Sequence, residues 1–246
     1  MDSFAENYDI MVGADYNRII GFIDDSIKKY KPDTSLVCDL GCGTGTVSLA
    51  LSELGYDMIA IDSNEDMLML ARDKASELKD DKTLFLCQDI VDFELYGTVD
   101  VIVSTLDTVN YITDKRNINT FFKWVRNYLN FDGLFIFDIN SEHKFKNVLS
   151  NNISVYEFDN MFCTWETVRR PNGILYDHYL TYFKLLESGL YERTDNVQSQ
   201  RFYSPIEIEN VARRYDFEII SVCDNYSQKP VNDKTERLTY ILKTKK

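Results

Sequence analysis

The sequence predicts an α/β protein: a doubly wound, mostly parallel sheet with helices on both faces, plus an inserted antiparallel β subdomain. Three observations carry this. Strand-like apolar runs alternate with helical periodicity from about residue 15 to residue 139. Such repeated βα units demand a parallel sheet covered on both sides. Between 151 and 203 the texture changes to successive strand-like runs separated only by turn signals. A helix and two strands then close the chain.

The elements follow in order. Tyr16, Ile19, Ile20, Ile23 and Ile27 recur at helical spacing, and Lys31-Pro32-Asp33 stops that helix. Ser35 to Leu40 reads as a short buried strand running into a glycine-rich turn, and residues 45–54 as the helix after it, closed by Gly55. Tyr56 to Ile61 forms a second strand ending at Asp62. Ser63-Asn64-Glu65-Asp66 has the form of a capping box opening the next helix. Thr83 to Cys87 and Val99 to Thr105 are the third and fourth strands. Residues 115–130 form an amphipathic helix, and Asp132-Gly133 turns into a fifth strand, Leu134 to Ile139. The inserted strands are Val155 to Phe158, Phe162 to Val168, Leu175 to Leu185 and Tyr191 to Tyr203, with Pro171-Asn172-Gly173 and Glu187-Ser188-Gly189 as turns. Ser204-Pro205-Ile206-Glu207 caps a helix, and Phe217 to Cys223 and Leu238 to Thr244 end the chain as strands.

Composition narrows the function. Of 246 residues, 27 are Lys or Arg and 40 are Asp or Glu, a net charge of -13. That balance argues against a nucleic-acid partner, whose phosphates need basic side chains, and against an anionic membrane surface. The five cysteines, Cys38, Cys42, Cys87, Cys163 and Cys223, are scattered, with no CxxC pair and no His/Cys cluster. Neither a disulfide framework nor a metal site is expected. Cys38, Cys87 and Cys223 sit in apolar runs, where a free thiol acts as a small hydrophobe. The N-terminus lacks the basic-then-apolar pattern of a signal peptide, and no apolar run reaches the ~18 residues of a membrane span. A cytoplasmic protein is expected.

The most informative stretch is Asp39-Leu40-Gly41-Cys42-Gly43-Thr44-Gly45, at the end of the first strand. Glycine at alternate positions lets the backbone take positive φ and approach a ligand, and the turn leaves N–H groups free at a helix start. In an open parallel sheet this turn lies where ligands cross the switch point. The spacing is G-x-G-x-G, and Thr46 stands where the dinucleotide fingerprint G-x-G-x-x-G needs its third glycine. Asp62, at the end of the second strand, is placed to accept from both hydroxyls of a ribose.

With Asp39 ahead of the glycines, this segment resembles the first motif of the class I, Rossmann-like S-adenosylmethionine-dependent methyltransferases. Asp62-Ser63-Asn64 followed by Met67, and Asp89-Ile90 after the third strand, match further points of that family. The resemblance implies a seven-stranded sheet. It implies S-adenosylmethionine as cofactor, S-adenosylhomocysteine as product, and transfer of the methyl group to an acceptor by in-line displacement. It assigns cofactor binding to Asp39, Gly41, Cys42, Gly43, Gly45, Asp62, Ser63, Met67, Asp89, Ile90 and Thr105, with Met67 packed on the adenine and Asp89 accepting from its amino group.

Leu106-Asp107-Thr108-Val109-Asn110-Tyr111 lacks the Asn/Asp-Pro-Pro-Tyr/Phe of enzymes that methylate amino groups of DNA bases. It is similar instead to a branch of small bacterial methyltransferases of mostly undefined substrate. Asp107, Asn110 and Tyr111 are then the expected substrate-side residues. The N-terminal Phe4 to Asp9 segment also resembles that branch, which makes Tyr8 and Tyr16 candidates for the carboxylate end of the cofactor. A small-molecule acceptor, no nucleic acid, no membrane, no metal, and a monomer or homodimer are the expected partners. Residues 1–150 and 204–246 form the expected cofactor-binding core, and 151–203 a substrate cover. The two histidines, His143 and His178, lie in no motif and read as solvated or packed side chains. The competing readings are an NAD(P)-dependent oxidoreductase on the same architecture and a non-catalytic S-adenosylmethionine-binding protein.

Overall fold

The computed structural model describes residues 8–9, 11–150 and 152–245. The predicted alternation appears as a seven-stranded sheet with helices on both faces. Helix α1 (Tyr16–Tyr30) precedes β1 (Leu36–Leu40), α2 (Thr46–Glu53), β2 (Asp57–Asp62), α3 (Glu65–Leu78), β3 (Thr83–Cys87), β4 (Val99–Ser104), α4 (Lys115–Tyr128) and β5 (Leu129–Asn140). After the insertion come α5 (Pro205–Arg214), β10 (Phe217–Asp224) and β11 (Arg237–Thr244). The strand order is β3-β2-β1-β4-β5-β11-β10. β1 to β5 are parallel, whereas β11 runs antiparallel to both β5 and β10.

The sheet has reversed direction of winding between β1 and β4, so a crevice opens above their carboxyl ends. Helix packing on both faces explains the continuous burial of β1, β4 and β5. One face holds a core of Phe121, Phe122, Phe135, Phe137 and Phe217. Phe122 and Phe137 meet edge to face at 5.8 Å, the geometry favoured by ring quadrupoles. On the other face, α1 buries Ile19, Phe22, Ile23 and Ile27 against Val37, Val101 and Ile136.

Three local expectations are corrected. The cap of α3 is Asn64, whose side chain accepts from the N–H groups of Asp66 and Met67, and not Ser63. The chain reaches the cap through an extended Asn64, which leaves Ser63 facing a cavity. β5 begins at Leu129, directly after α4, because Leu129 pairs with Val99 before the ladder resumes at Leu134. Cys87 is exposed, because β3 is an edge strand covered on one side only. Ser204, by contrast, completes the expected capping box with Glu207.

The inserted segment forms a separate antiparallel meander: β6 (Asn152–Phe158), β7 (Met161–Arg169), β8 (Leu175–Leu185) and β9 (Tyr191–Arg201), in that order. Its inner face contributes Met161, Cys163, Leu180 and Tyr182 to a small core with Met11 and Met67. This core seats the meander over the crevice. A π-helical turn, Lys144–Leu149, leads into it. Among the described residues no helix is long and apolar enough to cross a membrane, and no His/Cys/Asp/Glu group could hold a metal ion.

Candidate active site

The crevice holds two adjoining cavities. The first, about 590 Å³, is lined by Gly41, Gly43, Asp62, Ser63, Met67, Asp89 and Ile90. All of these are sequence-predicted residues, drawn from the turns after β1, β2 and β3. The glycines have different reasons. A Cβ on Gly41 would lie 2.3 Å from Thr108 Cγ2, so close packing against the loop after β4 excludes any side chain. Gly45 is similarly closed by Ala71, at 2.9 Å. Gly43 (φ +54) meets only the Tyr8 ring at 3.9 Å, so its Cβ would occupy cavity space. That open, backbone-walled cradle fits a nucleoside ligand.

Asp62 Oδ2 accepts from Gly43 N and Oδ1 from Asn64 N, each at 2.8 Å. Each carboxylate oxygen keeps a further lone pair, and the two are spaced as a fork suited to a vicinal diol. Burial pushes the Asp62 carboxyl up, and the N–H groups of Asn64 and Gly43 pull against that. Asp89 Oδ1 accepts from Val91 N, which shapes the turn that presents Ile90. Asp39 lies below the cavity floor, 1 % exposed, with Oδ2 accepting from Ser48 Oγ at 2.6 Å. Burial pushes its carboxyl up to about 7.

The N-terminal segment closes one end. Phe4 lies outside the described residues, but Tyr8, Tyr16, Cys42 and Thr105 line a small recess beside the glycine turn. Asp9, which sequence reasoning passed over, ties this end together. It accepts from Tyr16 Oη at 2.8 Å, Thr44 Oγ1 at 2.9 Å, Thr46 Oγ1 at 3.0 Å and Lys74 Nζ at 2.7 Å. Burial would raise its carboxyl, but Lys74 and the hydroxyls hold it below the usual range.

The second cavity, about 210 Å³, lies between the core and the meander. It shares Tyr8, Leu106 and Tyr111 with the first. Leu106 and Asp107 both take left-handed conformations, φ 55 and 57, which cost non-glycine residues of order 1–3 kcal/mol each. Tertiary contacts hold them there. Asp107 N donates to Asp138 Oδ2 at 2.9 Å, and the Asp107 carboxylate accepts from Arg237 Nη2 at 2.7 Å and Gln200 Nε2 at 2.6 Å. Arg237 also pairs with the buried Asp138, to which the Tyr226 hydroxyl donates. Burial works to raise the Asp107 carboxyl, but the charges of Arg237 and Lys144 hold it below its usual range.

Of the three substrate-side expectations, Asp107 and Tyr111 line this cavity. Asn110 is corrected to a structural tie. It is fully buried and lines neither cavity, and its Nδ2 donates to Arg201 O while its Oδ1 accepts from Asn140 N. His178, read as a solvated or packed side chain, is buried in the cavity wall with Trp165, Thr167 and Gln200. No local signal marked it, because the strand register of β7, β8 and β9 brings these residues together.

Residues 37–133 match a family model described as a methyltransferase domain. A solved S-adenosylmethionine-dependent methyltransferase from Clostridium acetobutylicum ATCC 824 superposes with a TM-score of 0.88 at 32% identity, covering 99% of this chain and 98% of that one. A Geobacillus sp. (strain WCH70) protein, provisionally named a methyltransferase, is 25% identical over 98% of both chains. The amino pentose methyltransferase CalS10 from Micromonospora echinaspora, solved with S-adenosylmethionine bound, shares the fold at a TM-score of 0.76, with 14% identity over 100% of this chain and 98% of that one.

Proposed function

The chain belongs to the S-adenosylmethionine-dependent methyltransferases, and from that membership we propose that it methylates a small polar molecule held in the 210 Å³ cavity. The observation that carries this is the shared border. Tyr8, Leu106 and Tyr111 wall both cavities, so a reacting group in one faces the other. S-Adenosylmethionine is the cofactor, and when bound it supplies a methyl group activated by a sulfonium.

The protein's own task is positioning. The free lone pairs of Asp62 accept from the ribose hydroxyls. Met67 and Ile90 flank the adenine, with Asp89 at its amino edge. The recess of Tyr8, Tyr16, Cys42 and Thr105 receives the amino-acid end. Asp39 and Gly45 support this arrangement from beneath and touch no ligand. The meander, within residues 151–203, serves as the acceptor's cover and keeps water out. In-line transfer needs the acceptor atom at roughly 3–3.5 Å from the methyl carbon, which the rigid walls preset.

An amine is the acceptor group the cavity suits. Gln200 Nε2 donates to Asp107, so Gln200 Oε1 is left to accept from Asn140 Nδ2 at 3.3 Å. The Asn140 amide is thereby oriented, and its buried Oδ1, without a hydrogen-bond partner among the described residues, is available to an N–H. Among the described residues the one carboxylate lining the cavity, Asp107, is tied down by Arg237 and Gln200, so an acceptor whose neutral form already offers a lone pair is favoured. The fold relative that acts on an amino pentose is in keeping with this.

The test is binding followed by turnover. Calorimetry should show S-adenosylhomocysteine binding and no binding of NAD. Asp62→Ala should weaken it about 100-fold, the loss of two charge-assisted hydrogen bonds at about 1.5 kcal/mol each. Labelled methyl should then pass to small amines in an acceptor panel. Label appearing only in protein or nucleic acid would overturn the small-molecule reading.

A further inference from the structure

Among the described residues, two donors that line the second cavity lack acceptors. His178, on β8, is 1 % exposed. Its Nδ1 lies 3.1 Å from Trp165 Nε1 and 2.9 Å from Thr167 Oγ1. An indole N–H can only donate, so Nδ1 must accept, and the neutral ring carries its proton on Nε2. Burial favours that neutral ring by pushing the imidazole below its ordinary range, against the opposing influence of Asp107 and Gln200. Nε2 is buried and, among the described residues, forms no hydrogen bond, although Gln200 lies close enough to act on the ring. A buried N–H donor left unmade is uncommon in folded proteins and calls for a ligand or water.

Lys144 enters the same cavity from the π-helical turn. Among the described residues no carboxylate lies within ion-pair distance of its ammonium. Of the carboxylates that act on it, Asp107 and Asp138 are both engaged by Arg237, and Glu236 is the third. Burial and the charge of Arg237 together push the Lys144 ammonium below its usual range, against Asp107, Asp138 and Glu236. Lys144 is also close enough to act electrostatically on His178.

We propose that the methyl acceptor carries an oxyanion, a carboxylate or a phosphate, that accepts from His178 Nε2–H and pairs with Lys144 Nζ. This deepens the reading of the cavity as the acceptor site and rests on it. His178 is then a binding residue and not a base, because its free nitrogen already bears the proton. Trp165 is a positioning residue that sets the tautomer. Together with Asn140 Oδ1, the wall suits an acceptor that carries both an N–H and a negatively charged oxygen.

The chain has only two histidines, so imidazole ¹⁵N spectra of the full-length protein resolve His178 from His143 without ambiguity. With S-adenosylhomocysteine present, the resting spectrum should show His178 as the Nε2–H tautomer. Titration with acetate and, separately, inorganic phosphate should shift its Nε2–H resonance saturably for at least one, and that arm names the oxyanion. Chloride at equal ionic strength should not. Lys144→Met should weaken the responding anion at least tenfold while leaving the tautomer intact, and His178→Phe should abolish its binding. An Nδ1–H tautomer overturns the proposal. So does the absence of a saturable response to both anions, or a response that Lys144→Met leaves unchanged. Calorimetry of S-adenosylhomocysteine on the same samples separates the readings. If that ligand binds and the anions do not, the oxyanion proposal fails and the methyltransferase reading stands. If it does not bind, the cofactor reading fails first.

Discussion

The two cavities are built by opposite means. The cavity proposed for the cofactor is lined largely by residues at or near three strand ends, at fixed offsets from them. The cavity proposed for the acceptor is lined by residues gathered from the N-terminal segment, the loop after β4, the end of β5, the π-helical turn, the meander and β11. The first uses geometry that any parallel sheet offers at its switch point. The second depends on a buried charge network in which Arg237 bridges Asp107 and Asp138. A shared cofactor calls for a constant frame, and an individual acceptor calls for walls assembled from wherever the fold brings them.

This contrast can be broken most directly at Arg237. Arg237→Met leaves two buried carboxylates facing each other without a cation, and should cost about 3–5 kcal/mol in urea denaturation. Affinity for S-adenosylhomocysteine should stay nearly unchanged in the protein that remains folded. A parallel collapse of that affinity would mean that the cavities are one energetic unit.

Asp39 offers the next largest effect, on the cofactor side. Its folded-state carboxyl is raised to about 7, whereas in the unfolded chain it titrates near about 3.9. The folded protein holds the proton more tightly, so the stability from this group is complete below about pH 4 and is lost as pH rises through about 7. Asp39→Asn keeps an acceptor for Ser48 and removes the titration. Ligand-free denaturation should show the variant gaining on the parent by up to about 4 kcal/mol between pH 4 and 7. A constant difference across that range would remove burial as the dominant influence on Asp39.

The smallest effect sharpens the account of the glycines. Gly41→Ala places a Cβ against Thr108 at φ +77 and should cost about 1–3 kcal/mol in thermal or chemical denaturation. Thr108→Ala in the same chain should restore part of it, since the clashes with Cγ2 and Oγ1 go while the 3.1 Å approach to Cβ and the backbone strain stay. No restoration would mean that Gly41 is required for its φ alone.

The legibility of the sequence divides along the same line. Asp62, Asp89, Met67 and the glycines could be read because each sits at a fixed distance from a strand end, and strand ends are visible in local periodicity. Asn110 was read from the same motif and misassigned, because whether its amide faces a ligand or ties Arg201 to Asn140 depends on where β9 and β5 lie. Cys87 was misread because a strand's position in the sheet, edge or centre, is not written in its own residues. His178, Lys144 and Arg237 carried no signal, since none has a meaningful neighbour along the chain.

By itself, then, the sequence determined the alternation of strands and helices, the glycine turn and the acidic residues at the strand ends, all consequences of short-range sterics and hydrophobic period. Only the tertiary structure decided which glycine meets Thr108, which histidine nitrogen is free, and which carboxylates share Arg237. Those outcomes rest on contacts between residues far apart in sequence, and burial in a low-dielectric interior is what gives such contacts their energy.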